Sequence, residues 1–157
     1  MMFSVTLNGS EMATCRILAN LRSLVSRGAG IVDVQMGKNN PLAIDELGLI
    51  AEYAFCKHWN IFFDPSTSPK SGTSDCVLGG KRFDIKATHY EDGRLIKTLK
   101  QNPDVDCYAL AIVQGNVVKF PGYAFSIELC QPKYVTDLGH GMTYAMEQSE
   151  LRQWKDK

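Results

Sequence analysis

The chain lacks an excess of charge of either sign: 17 basic and 17 acidic residues leave a formal net charge of zero. Phosphate binding rewards a positive surface, so this balance argues against a protein that is basic all over, while a local basic stripe stays open. No stretch approaches the roughly 18 continuous apolar residues of a membrane span, and no charged segment followed by an apolar one opens the chain. Neither a membrane partner nor a signal peptide is therefore expected. Paired cysteines are missing as well. Cys15, Cys56, Cys76, Cys107 and Cys130 are odd in number, widely spaced and free of any Cys-x-x-Cys. They read as buried thiols of a cytoplasmic protein, and zinc would require distant cysteines to converge with His58, His89 or His140. Repeats, low-complexity tracts and linkers are absent too, so 157 residues with 45% hydrophobic content imply one domain over 1–157.

What is present reads as alternating helices and strands. Phe3 to Leu7 is a short strand, and Ser10-Glu11 opens an N-terminal helical segment over about 10–27, ended by Gly28 and Gly30. Ile31 to Val34 is a short strand, followed by a turn-rich link to Pro41. A second helix runs from about Leu42 to His58, apolar on most sides and hence buried against a sheet. Ile61 to Phe63 reads as a strand and Pro65 to Gly72 as a polar loop. A hairpin spans Ser74 to Thr88, and Leu95 to Leu99, Cys107 to Val113 and Val117 to Pro121 read as further strands. Phe125 to Cys130 is a short helix, and the tail from Gln131 is mostly irregular. The fold class is α/β (α+β), with a central mixed β-sheet flanked by helices.

The hairpin carries the functional argument. Along Arg82-Phe83-Asp84-Ile85-Lys86-Ala87-Thr88, side chains alternate, so Phe83, Ile85 and Ala87 enter the core while Asp84 and Lys86 share the opposite face. A two-residue Gly79-Gly80 turn pairs Leu78 with Lys81, Val77 with Arg82, Cys76 with Phe83, and Asp75 with Asp84. Two opposed aspartates destabilise a ladder unless a cation lies between them. Their hard oxygen donors suit magnesium or manganese rather than zinc. Glu52 sits in the apolar run Leu49-Ile50-Ala51-Glu52-Tyr53-Ala54, where a carboxylate needs a partner. Small Gly48, Ala51 and Ala54 let its helix approach the sheet. Glu46 is the competing carboxylate, and Asp45 suits a supporting role at the helix start.

Glu52, Ser74-Asp75 and Phe83-Asp84-Ile85-Lys86 together resemble the PD-(D/E)XK nuclease superfamily, and more broadly small phage-encoded proteins with this site. The likeness runs loosely from Asp45-x-x-Gly48-x-x-x-Glu52 to Leu151, with Ser74 standing where the superfamily name has proline. It implies a restriction-endonuclease-like core and a Mg²⁺- or Mn²⁺-dependent nuclease in the host cytoplasm, acting on DNA, with homodimerisation left open. Asp75, Asp84, Glu52 and the Ile85 backbone carbonyl would hold the metal, and Lys86 would assist the attacking water, making Glu52, Asp75, Asp84 and Lys86 the catalytic set. Lys81, Arg82, Arg94, Lys97 and Lys100 form the best phosphate path, with Lys70 and Ser71 on a clamping loop. Tyr108, Tyr123 and Phe125 are expected in the core. The alternative is a non-catalytic nucleic-acid-binding or host-interacting accessory protein that retains the fold.

Overall fold

A computed structural model describes residues 1–28, 41–67 and 74–155. The expected strand over 31–34, most of the link after it, and Lys70 and Ser71 lie outside the described residues. The elements are β1 (Phe3–Thr6), α1 (Gly9–Gly28), α2 (Pro41–Trp59), β2 (Cys76–Leu78), β3 (Lys81–Thr88), β4 (Leu95–Thr98), β5 (Cys107–Gln114), β6 (Val117–Phe125), α3 (Ser126–Leu129), β7 (Val135–Asp137) and β8 (Met142–Met146). The fold is mixed α/β, as expected. A five-stranded sheet runs in the order β1-β6-β5-β3-β2, with β3 and β5 parallel and the other neighbours antiparallel. A three-stranded sheet, β4-β8-β7, is its companion.

Local chemistry explains the helix ends. The Asn8 side chain accepts from the Glu11 N–H at 2.8 Å, and Glu11 accepts from the Asn8 N–H at 2.9 Å. This reciprocal capping box starts α1 at Gly9, one residue ahead of the expected Ser10. Pro41 opens α2, where its missing N–H has no intrahelical partner to lose. Asn60, at φ 53°, turns the chain out of the far end.

The two faces of the large sheet bury different cores. Phe83 and Ile85 point toward the helices, where Phe55, Phe120 and Trp154 join them with ring centroids 5.5–6.0 Å apart. Tyr108 and Leu110 point the other way, into a smaller core with Leu95, Leu129, Met146 and Leu151. The central strand β5 is consequently buried along all but its last residue.

Three expectations are corrected. Ile61 to Phe63 is not a strand: the Ile61 N–H is taken by the Cys56 carbonyl at 3.0 Å, which folds the segment back on the end of α2. Strand β6 continues past Pro121 to Phe125, because a bulge opposite Ala111 removes the proline from the ladder. The tail beyond Gln131 is ordered: β7 and β8 pair with each other, and β8 pairs with β4, where the Thr143 hydroxyl donates to the Lys97 carbonyl at 2.6 Å. The Cys130-to-Trp154 stretch then closes on β6 through Tyr123 and Arg152, and a Cβ at Gly122 would lie 2.5 Å from the Arg152 carbonyl oxygen. Only glycine admits that approach.

Candidate functional site

Gly79 and Gly80, at φ 57° and 76°, make the two-residue turn that the sequence demands. The register follows as expected: Leu78 opposes Lys81, Val77 opposes Arg82 and Cys76 opposes Phe83. There the ladder ends, one residue short of the expected Asp75–Asp84 pair. The Asp75 N–H reaches the Phe83 carbonyl at 2.8 Å, and the Asp75 carboxylate accepts the Ile85 N–H at 2.7 Å. A side chain has taken the place of the next strand residue, so β2 peels away from β3 at this point. N–H and C=O of one strand residue face the same edge, so the Ile85 carbonyl looks into the fork that β2 leaves.

Glu52 enters the fork from α2 and Asp84 from β3. Glu52 and Asp84 both lie close enough to Asp75 for their charges to act on its carboxyl. Burial pushes the Asp75 carboxyl well above the usual carboxylate range, and the charges of Glu52 and Asp84 push it further. The Ile85 N–H pulls the other way and is outweighed. Glu46, the competing carboxylate, lies elsewhere, in a groove with Arg16 and His89.

Two cations border the cluster. Lys86 Nζ stands 3.1 Å from Asp84, as two same-face residues of a strand should. Arg22 of α1 stands 3.6 Å from Glu52 and also donates to the Asp64 and Ser66 carbonyls at 2.6 and 2.8 Å. Arg22 was not signalled by the sequence: it lies 30 residues upstream on a helix with no motif. As they stand, no three His, Cys, Asp or Glu side chains among the described residues are arranged to hold a metal ion. Cys15, Cys56, Cys76 and Cys107 are buried, Cys130 is partly buried, and all five are free thiols.

The expected basic path divides. Arg82 is committed to Asp106 through bonds of 2.8 to 3.1 Å from its backbone and guanidinium, with Asp104 at 3.8 Å. Arg94 pairs with Glu147 at 3.2 Å. Lys81 is exposed over a separate aromatic groove containing Trp59, Tyr123 and Trp154. Lys97 is only 5% exposed, and burial lowers its ammonium pKa below the ordinary lysine value. It lines a cleft of about 320 Å³ together with Asp84, Lys86, Lys100 and Tyr108. Tyr108 is buried as expected, with Tyr123 and Phe125 partly buried against the larger core.

Comparison with family models, with curated proteins and with solved structures returns no match for this chain. The reading of the site therefore stands on its geometry. Among the described residues no helix is long and apolar enough to cross a membrane.

Proposed function

We propose that this protein is a metal-dependent nuclease of the PD-(D/E)XK type, with a restriction-endonuclease-like core, that hydrolyses phosphodiester bonds of DNA. The observation that carries the reading is the gathering of Glu52, Asp75 and Asp84 at the β2/β3 fork, with Lys86 on Asp84. Three carboxylates facing a backbone carbonyl offer hard oxygen donors to magnesium or manganese. The raised pKa of Asp75 reflects burial first and the charges of Glu52 and Asp84 second, and such a cation would relieve the latter. Glu52, Asp75, Asp84 and the Ile85 carbonyl would form the ligand set once Arg22 and Lys86 swing aside. The ion would activate a water and polarise the phosphate when bound.

The chain's own groups supply the rest. The Ile85 N–H holds Asp75 in one orientation, so the donor nearest the fork is preset. Lys86, released from Asp84, can orient the attacking water or stabilise charge that develops on the phosphate. Arg22, released from Glu52, remains tethered to the 64–66 backbone.

One observation favours the alternative of a non-catalytic nucleic-acid-binding or host-interacting accessory protein: Glu52 and Asp84 are already paired with Arg22 and Lys86, and no metal group is preformed among the described residues. Cleavage assays separate the two. Supercoiled, linear, single-stranded and branched DNA would be incubated with magnesium or manganese and with wild type, Asp84→Ala or Lys86→Ala. Metal-dependent cutting that disappears in both variants supports the nuclease. No cutting by any protein, with no binding of either metal, would leave the accessory reading.

A further inference from the structure

Just past strand β4, residues 100–104 wall the cleft shared by Asp84, Lys86 and Tyr108. The cleft shares Asp84 with the fork. Three lysines line it against two aspartates. Both aspartates have cations of their own, Lys86 at 3.1 Å from Asp84 and Arg82 at 3.8 Å from Asp104. Lys97 differs from the other two lysines. Its ammonium lies between the rings of Tyr108 and Tyr144, at 5.6 and 5.8 Å, and donates to the Thr98 and Lys100 carbonyls at 3.0 and 2.5 Å. It is a buried clamp on the turn that presents exposed Lys100. Tyr108, a residue only 1% exposed, also lines this cleft. The carbonyl bonds and the two tyrosine rings offset the burial of the Lys97 ammonium and tie it to the turn that carries Lys100.

We propose that this cleft seats a backbone phosphate of a nucleic-acid strand next to the one attacked at the fork, with Lys100 as its contact and Lys97 as the residue that positions Lys100. The proposal rests on the nuclease reading for its substrate class. A cleft of this volume is at the lower end of ligand-sized pockets and suits one nucleotide unit rather than a large ligand. A phosphate there meets the exposed ammonium of Lys100, while Lys86 offsets Asp84 and Arg82 stands 3.8 Å from Asp104.

The test is fluorescence anisotropy with end-labelled 20-nucleotide single-stranded and duplex DNA, in EDTA, over a range of salt. Lys100→Glu should weaken binding of the better probe by about 10-fold and reduce the slope of log affinity against log salt by about one. Lys97→Met should do the same, and the double variant should be no worse than either single one, because both remove one contact. Lys133→Glu, an exposed lysine in a different groove, should leave affinity and slope as in wild type. Binding by Lys100→Glu equal to that of Lys133→Glu would overturn the proposal, as would no binding of either probe by wild type. Additive losses in the double variant would remove the positioning role of Lys97. Since no metal is present, failure here is separate from failure of cleavage: wild type that cuts while Lys100→Glu binds normally keeps the nuclease and loses the cleft. Lys100-dependent binding without cutting does the reverse.

Discussion

Asp75 and Asp106 flank the same strand and begin alike, since each carboxylate accepts a backbone N–H from β3, Ile85 in one case and Arg82 in the other. Their surroundings then diverge. Asp106 receives the Arg82 guanidinium at 3.1 Å through two nitrogens, and that pairing holds its pKa down at about 2. Asp75 meets two further carboxylates and less solvent, and its pKa rises well above the usual range. One aspartate is completed by its own chain. The other is left with an electrostatic deficit at a fork in the sheet, and the proposed metal site rests on that contrast.

The largest expected effect tests that contrast directly. Asp75→Ala should reduce metal-dependent cleavage by about 100-fold or more, whereas Asp106→Asn should leave the rate per folded molecule within about 3-fold. Comparable losses would erase the distinction.

Stability should move in the opposite direction. In metal-free buffer near neutral pH, Asp75→Asn keeps an acceptor for the Ile85 N–H, gives Glu52 a donor and removes a disfavoured charge. We expect a gain of about 1–2 kcal/mol, read as a rise of a few degrees in melting temperature. Asp106→Asn should lower the melting temperature. A fall for both variants would show that Asp75 is held as firmly as Asp106.

The pH dependence has opposite signs at the two sites. The Asp75 carboxyl has a folded pKa above its unfolded one, so its contribution is fully present below the unfolded value of about 3.9 and is lost as pH rises through the folded value. Asp106 has a depressed folded pKa, so its contribution is present above about 3.9 and disappears as pH falls toward about 2. Melting curves of wild type and Asp75→Asn should therefore converge on acidification, while those of wild type and Asp106→Asn separate above pH 4 and converge only below it. Curves that run parallel at every pH would contradict both assignments.

The smallest effect expected is metal stabilisation. Magnesium at ten times its dissociation constant should raise wild-type stability by about 1.4 kcal/mol, and Asp75→Asn should respond less. An equal response in both proteins would locate the metal elsewhere.

The hairpin was legible in the sequence because its determinants are local. Two glycines demand a two-residue turn, the turn sets the register, and strand alternation puts Asp84 and Lys86 on one face with Phe83 and Ile85 on the other. Both long helices were legible for the same reason, through apolar patterning and end signals. Glu52 was marked by its apolar setting. What the chain order could not convey was where pairing stops and which distant groups arrive. The ladder ends at Cys76 because the Asp75 side chain replaces a backbone acceptor. Arg22 reaches Glu52 from another helix, Asp106 takes Arg82 out of the basic path, and Lys97 is buried because β8 lies on β4. Sequence alone determines periodicity and turn chemistry, which depend on neighbours a few residues away. Burial, charge pairing and the meeting of Glu52 with Asp75 depend on chain segments tens of residues apart, and only the packed tertiary structure brings those together.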